Sequence, residues 1–183
     1  MKDKTLEIHG GYETAEKTTR AVVPPIYQTV AYEFDDAQYA ADLFNLAKPG
    51  NIYTRLMNPT ADILERRMAL LEGGVAAVAT ASGQAAIQYA LLNLAKAGQN
   101  IVSVPQLYGG TFTLLTSVFA DLGIEGRLAA SDSPEDIECL IDDNTRAVYC
   151  ETIGNPAGNI VDLEALADVA HRHGIPLVVD NTV

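Results

Sequence analysis

The sequence predicts an α/β fold, with a mainly parallel sheet and helices on both of its faces. From Val75 onward, short apolar segments alternate with helical ones, an order typical of parallel strands joined by helical crossovers. Segments such as IPLVV are apolar on both faces, as expected for strands buried on both sides. With 183 residues the chain is long enough to form a domain with its own core.

Residues 1–45 are expected to form an N-terminal arm that ends in a short helix. The segment VVPPIYQT carries two adjacent prolines, which exclude helix, whereas DDAQYAADLFNL predicts a helix at 35–46. A disordered tail is one interpretation of residues 1–34. The alternative is packing against another subunit, which four aromatic residues favour: Tyr12, Tyr27, Tyr32 and Phe34.

Residues 46–183 are expected to form most of a larger domain, and their elements can be taken in order. The loop GNIYTRLMNPT leads to a helix that starts at Asn58-Pro59, carries Leu64, Met68 and Leu71 on one face, and ends at Gly73-Gly74. The predicted strands are VAAVAT (75–80), NIVSVP (100–105), IEGRLAA (124–130), RAVYCE (146–151) and IPLVVD (175–180). The predicted helices are QAAIQYALLNLAK (84–96), GTFTLLTSVFADLG (110–123), PEDIECLI (134–141) and VDLEALADVAHRHG (161–174).

Charge and composition exclude several function classes. A net charge of −12 argues against nucleic-acid binding, which needs clustered Lys and Arg. No apolar run approaches the ~20 residues of a membrane span, and the first residues lack the apolar core of a secretory signal. Cys139 and Cys150 form no metal or redox spacing, and His171 and His173 do not share a helix face. We therefore expect a cytoplasmic protein that binds small molecules and no metal.

Ligands of parallel α/β sheets bind beyond the carboxyl ends of the strands, so the segments after each strand are the candidate sites. Ser82-Gly83-Gln84 follows the first predicted strand and opens a helix. Its free backbone amides and the helix dipole would suit a phosphate. The alternative is that Ser82 only caps the helix.

Other candidates are aromatic or cationic. Tyr53 and Arg55 stand two apart on a loop, so they would point the same way and could hold one anion; a surface Arg is the alternative. Tyr108 is followed by glycines that would leave its ring free to lie on a planar ligand, although an ordinary core tyrosine is equally compatible.

Polar residues also end the last two predicted strands. Asp180 follows three apolar residues, where an ionised carboxylate is costly unless it meets a cation or is well hydrogen-bonded. One hypothesis is that Asp180 pairs with a cationic ring nitrogen of a cofactor. The alternative is that Asp180 caps a helix. Beyond RAVYC stand Glu151 and Asn155, and Asn155 could simply form a turn before Pro156.

Taken together, GNIYTRLMNPT, LEGG, ATASGQAA, LYGGT, ETIGNPAGN and VVDNTV resemble, in this order, the Cys/Met-metabolism family of fold-type-I pyridoxal-phosphate (PLP) enzymes. The resemblance spans essentially the whole chain. It implies a PLP cofactor whose phosphate is held by the amides of Ser82, Gly83 and Gln84. It also implies that Tyr108 stacks on the cofactor ring, Asn155 meets the 3′ oxygen, Asp180 pairs with the ring nitrogen and Thr182 supports it.

The resemblance further implies assembly and an incomplete site. Tyr53 and Arg55 match a pair that reaches the phosphate of a neighbouring subunit, in a homotetramer built as a dimer of dimers. The lysine that binds the cofactor covalently should lie beyond Asp180, and none of the five lysines fits: Lys2, Lys4, Lys17, Lys48 and Lys96. We therefore expect 46–183 to be the N-terminal part of the PLP-binding domain, without the family's C-terminal domain.

Within the family, the motifs resemble the O-acetylhomoserine sulfhydrylase branch. Methionine γ-lyases tend to carry Met at the position of Gln84 and Cys at that of Gly110. The implied reaction is γ-replacement on O-acetyl-L-homoserine with sulfide or another sulfur donor, giving L-homocysteine and acetate in methionine biosynthesis. Tyr108 and Asp180 are the implied catalytic residues. A methionine γ-lyase or a cystathionine γ-synthase type of reaction is the alternative.

Overall fold

The structure is a computed structural model that describes residues 3–183 and divides into two compact units, Met1–Ala79 and Thr80–Val183. The first unit contains three helices: α1 (Asp3–His9), α2 (Ala37–Phe44) and α3 (Pro59–Glu72). Helix α1, which the sequence did not predict, packs against α3. The Tyr12 hydroxyl donates to the Ala21 carbonyl, which closes the following loop. These contacts favour an ordered arm over a disordered tail.

Helix α3 begins and ends where the sequence predicts. The Asn58 side chain accepts a hydrogen bond from the Thr60 amide, Pro59 occupies the first turn, and Gly73 ends the helix with φ of 64°. Its apolar face, Leu64, Met68 and Leu71, is not buried, because these side chains remain 36% to 53% exposed. Within its own unit, α3 therefore has an uncovered apolar face.

The second unit is built on a sheet of four parallel strands in the order β2-β1-β3-β4. The strands are β1 (Asn100–Ser103), β2 (Glu125–Leu128), β3 (Thr145–Glu151) and β4 (Leu177–Asp180). The central pair, β1 and β3, is buried almost throughout and carries the core with side chains such as Ile101, Val148 and Tyr149. The predicted α/β fold with a parallel sheet is confirmed.

The helices of this unit are α4 (Gly83–Leu94), α5 (Gly109–Thr113), α6 (Phe119–Asp121), α7 (Pro134–Glu138) and α8 (Leu163–Arg172). Helix α4 precedes the first strand, and the other helices connect successive strands. The single helix predicted at 110–123 is interrupted, because a π-helical turn at Leu114–Val118 separates α5 from α6. Across residues 3–183, every helix is too short or too polar to span a bilayer.

The strand predicted at 75–80 is wrong. Within the described residues this segment makes no ladder with a neighbouring strand, and Val75 and Val78 are exposed. A short run of small apolar residues becomes a strand only when another strand satisfies its backbone groups. The segment therefore enters α4 as an extended connection.

Candidate active site

A cavity of about 320 Å³ lies in the second unit, where β3 and β4 end and α4 begins. Parallel strands bring the loops that follow them to one edge of the sheet, which is why residues distant in sequence meet here. The residues that line it are Ser82, Gly83, Gln84, Ile87, Tyr108, Glu151, Ile153, Asn155, Asp180, Thr182 and Val183. The structure thus brings together seven of the nine predicted site residues, since Tyr53 and Arg55 belong to the other unit.

The N-terminus of α4 forms one wall of the cavity. The Ser82 side chain accepts from the Ala85 amide at 3.1 Å and thus caps α4. Within the described residues, the amides of Gly83 and Gln84 have no hydrogen-bond acceptor. A Cβ atom added to Gly83 would meet nothing within 4 Å, so this wall is open. Capping by Ser82 and anion binding by the next two amides are compatible.

Gln84 ties α4 to α5. Its side-chain amide donates to the Thr111 hydroxyl at 3.1 Å, and Thr111 is fully buried. A Cβ at Gly110 would come within 2.8 Å of the Tyr108 ring and 3.1 Å of the Gln84 side chain. Glycine at 110 therefore lets the Tyr108 ring and Gln84 occupy adjacent space.

Tyr108 stands at the start of α5 with its side chain 53% exposed, so it is not a core tyrosine. Its backbone amide donates to the Glu151 carboxylate at 2.8 Å. Glu151 is only 6% exposed. Its burial raises the pKa of the Glu151 carboxyl, and the charge of Asp180 adds to this rise, while the Tyr108 amide opposes it.

Asp180 and Glu151 are paired in the register of β3 and β4, so two carboxylates end neighbouring strands side by side. The Asp180 oxygen Oδ1 accepts from the Thr182 amide at 3.0 Å and from the Thr182 hydroxyl. This leaves its second oxygen for another donor in the cavity. Thr182 therefore supports Asp180 directly.

The remaining predicted residues occupy loops. Asn155 is exposed and lines the cavity from the loop between the bridged residues Ile153 and Ile160. In the first unit, the Arg55 guanidinium lies 5.5 Å from the centre of the Tyr53 ring, so the two side chains are neighbours as their spacing predicts. No ion pair to Arg55 occurs within the described residues.

Sequence reasoning gave Glu151 no role and missed Thr111 altogether. Glu151 carries the same signal that identified Asp180, a carboxylate at the end of an apolar strand. Thr111 carries no comparable signal, because its contact with Gln84 depends on how α4 and α5 pack. Among residues 3–183, no three His, Cys, Asp or Glu side chains are placed to bind a metal ion.

Comparison with known proteins adds independent information. The chain is 52% identical over 183 residues to the O-acetyl-L-homoserine sulfhydrylase of Leptospira meyeri, covering all of this chain and 41% of that protein. It is 52% identical to the homocysteine/cysteine synthase of Kluyveromyces lactis, covering 97% of this chain and 40% of that protein. The chain thus spans about two fifths of the length of these curated relatives.

A solved structure and a family model agree with these relatives. The structure is that of a protein described as an O-acetylhomoserine (thiol)-lyase from Campylobacter jejuni, which carries a pyridoxyl-lysine phosphate. It matches with a TM-score of 0.94 and 43% identity over 100% of this chain and 45% of that one. The family model for the Cys/Met metabolism PLP-dependent enzymes matches residues 4–183. This chain belongs to the Cys/Met metabolism PLP-dependent enzyme family.

Proposed function

We propose that the whole protein binds PLP in the cavity and converts O-acetyl-L-homoserine and sulfide, or another sulfur donor, into L-homocysteine and acetate. The observation that carries the proposal is the meeting of the α4 amides, Tyr108, Asn155 and Asp180 around one cavity. The choice of reaction follows the relatives, which are named O-acetyl-L-homoserine sulfhydrylase and homocysteine/cysteine synthase. The proposed role is in methionine biosynthesis.

The residues present fit PLP. A phosphate group suits the open N-terminus of α4, where the Gly83 and Gln84 amides lack an acceptor within the described residues. The free oxygen of Asp180 suits a protonated ring nitrogen, and the exposed Tyr108 ring suits the face of a planar group. When bound, PLP supplies a ring that accepts electrons from the α-carbon of an amino-acid substrate.

Each of the chain's own site residues would have a separate role. Asp180, oriented by Thr182, would hold a proton on the ring nitrogen of the cofactor. Asn155 would donate to its 3′ oxygen, and the amides of Gly83 and Gln84 would hold its phosphate. The Tyr108 hydroxyl would move a proton during the reaction, a role that its half-exposed side chain on the cavity wall supports.

The proposal also places the covalent cofactor lysine outside these 183 residues. Lys96 is the only lysine of Thr80–Val183, and it follows the C-terminal end of α4 rather than the N-terminal end that borders the cavity. The relatives are more than twice as long as the matched region. Activity is therefore expected from the whole protein rather than from this chain alone.

Assembly belongs to the same proposal. We place the whole protein in the cytoplasm as a homotetramer, with residues 1–45 forming an arm between subunits and 46–183 belonging to the PLP-binding domain. Tyr53 and Arg55 would complete the phosphate site of a neighbouring subunit, which is supported by their adjacency and by the lack of an ion pair to Arg55 in the described residues.

In the experiment, the whole protein is loaded with PLP and incubated with O-acetyl-L-homoserine and sulfide, and the products are identified. Homocysteine with acetate supports the proposal. Accumulation of 2-oxobutanoate and ammonia would instead assign a γ-lyase. Formation of cystathionine from added cysteine would assign a cystathionine γ-synthase type of reaction. Absence of bound PLP after dialysis would remove the proposal entirely.

A further inference from the structure

Glu151 is a buried carboxylate that the proposed mechanism does not use. It ends β3 with only 6% of its surface exposed, and it lines the same cavity as Asp180 and Tyr108. Its one hydrogen bond within the described residues comes from the Tyr108 amide to Oε1, at 2.8 Å. A carboxylate held in this position has either a structural or a functional reason.

The position is unfavourable for a carboxylate by itself. Burial removes it from water, and its register partner on β4 is a second carboxylate, Asp180. Cys150 and Tyr149, the residues before it on β3, carry no positive charge. Within the described residues no Lys or Arg forms an ion pair with Glu151. The compensating contact is the charge-assisted hydrogen bond from Tyr108.

The Tyr108 main chain needs such an anchor. Tyr108 opens α5 without a side-chain cap, and the two residues that follow it are glycines, which give the backbone wide freedom. Beyond them, α5 is tied to α4 by the Gln84–Thr111 hydrogen bond. Glu151 supplies the tie on the other side, from the end of the buried central strand β3.

We propose that Glu151 is a positioning residue that fixes the main chain of Tyr108 and thereby the place of its phenol ring on the cavity wall. That this placement of the Tyr108 ring helps cofactor binding rests on the proposed function. The anchoring of the Tyr108 main chain does not rest on it and can be measured without any cofactor.

The experiment compares Glu151→Gln and Glu151→Ala in the whole protein by amide hydrogen exchange without PLP. Gln keeps an oxygen acceptor and nearly the same shape, whereas Ala removes the acceptor. Because hydrogen bonds to charged groups are strong, the Ala variant should exchange its Tyr108 amide roughly ten- to a hundredfold faster, with β1 amides unchanged. The Gln variant should stay within about threefold of the parent protein. Glu164→Ala, at an exposed position of α8, is the matched control.

Two exchange results would overturn the proposal. One is a Tyr108 amide that exchanges equally fast in the parent and the Ala variant. The other is an acceleration spread evenly over all strands, including in the Gln variant, which would mean that Glu151 serves global stability only. If the Ala variant does not fold, Glu151→Asp replaces it, because its carboxylate is drawn back by one methylene: a faster Tyr108 amide supports the anchor, and an unchanged one removes it.

A second readout connects the anchor to the cofactor. In PLP-loaded whole protein, the circular dichroism of the bound chromophore reports how the ring sits against its neighbours. Glu151→Ala should change this circular dichroism band, whereas Glu151→Gln should leave it as in the parent protein. A protein that binds no PLP would contradict the proposed function, while the exchange result would still decide the role of Glu151.

Discussion

Asp180 offers a sharp test at the scale of a single residue. One of its carboxylate oxygens is already bonded to Thr182, so the other is the group available to a cationic ring nitrogen. Asp180→Asn keeps the shape but cannot hold that proton by charge. We expect turnover of the whole protein to fall by roughly 10²–10³, because preorganised electrostatic contacts carry effects of this size. Steady-state rates and PLP retention after dialysis measure the change.

The control is Asp168→Asn, which changes the same chemical group on an exposed face of α8. It should leave both rate and cofactor retention unchanged. An Asp180→Asn enzyme with the parent rate would show that Asp180 does not hold the ring proton.

The two cysteines should differ in reactivity. Cys150 is fully buried in β3, and burial, with a smaller effect from Glu151, raises the pKa of its thiol to about 12. Since the thiolate is the reactive form, Cys150 should resist a disulfide reagent at pH 8, whereas exposed Cys139 should react. Titration should count one thiol in the folded chain and two in denaturant. Cys139→Ser should reduce the folded count to none, and any remaining fast thiol would contradict the burial of Cys150.

At this scale, the sequence predicted residue types better than contacts. Asp180 and Ser82 were recognisable because a carboxylate after an apolar strand and a Ser-Gly turn before a helix have few explanations. Glu151 gave the same signal without a role, because its partner is a backbone amide 43 positions away. Such a bond depends on how the start of α5 packs against the end of β3, which the local pattern does not contain.

At the scale of elements, a polar cluster holds together the amino ends of two strands, β1 and β3. Asn100, on β1 and 1% exposed, donates to Asp142 at 2.9 Å and accepts from Thr145, on β3, at 2.8 Å. Asn100→Ala leaves the buried Thr145 hydroxyl without this acceptor. We expect the free energy of unfolding to fall by about 1–3 kcal/mol. Urea denaturation measures it, and exposed Asn93→Ala in α4 is the matched control, expected to change it by less than about 0.5 kcal/mol.

The same cluster should respond to pH through Asp142. Arg127 above all, then Asn100 and the Asn144 amide, hold the pKa of the Asp142 carboxyl below its ordinary value of 3.8. A lowered folded pKa stabilises the fold above the unfolded value, and this contribution disappears as the pH falls through the folded value.

Asp142→Asn should therefore be less stable than the parent at pH 7 and approach it below pH 3.8, the ordinary value for this carboxyl. Urea midpoints across this range measure the difference. Asp143→Asn, exposed and without a side-chain hydrogen bond among the described residues, should show no such trend. A constant gap between parent and Asp142→Asn at every pH would contradict the assignment.

Elements were predictable where local signals agreed. The strands β1, β3 and β4 contain short apolar runs, and α3, α4, α7 and α8 each begin at a capping Asn, Ser or Asp. The segment 75–80 misled because a short apolar run shows that a strand can form but not that a partner strand is adjacent. The π-helical turn after α5 has no local signature, and it lies against β2, where a Cβ atom on Gly126 would meet the Leu115 carbonyl.

At the scale of the whole molecule, the first unit exposes an unusual amount of apolar surface. Most of the exposed large hydrophobic side chains belong to Met1–Ala79, including Val22 at 83%, Val23 at 75% and Leu64 at 53%. Val22, Val23, Ile8 and Leu64 line one groove of this unit. Apolar patches of this kind mark interfaces in soluble proteins. The proposed tetramer would cover them.

Replacing Val22 and Val23 with Glu tests this interpretation. The double substitution puts two charges where we expect apolar side chains to be buried between subunits. Each lost Val contact costs about 1.5 kcal/mol or more, so the association constant of the whole protein should fall by at least tenfold. Sedimentation velocity over a range of concentrations measures the species present. Thr14→Glu, an exposed polar position in the same arm, adds charge without removing apolar surface and should leave assembly unchanged. If the double variant sediments as the parent does, the arm does not form the subunit contact, and Tyr53 and Arg55 would have to reach a neighbour by another surface.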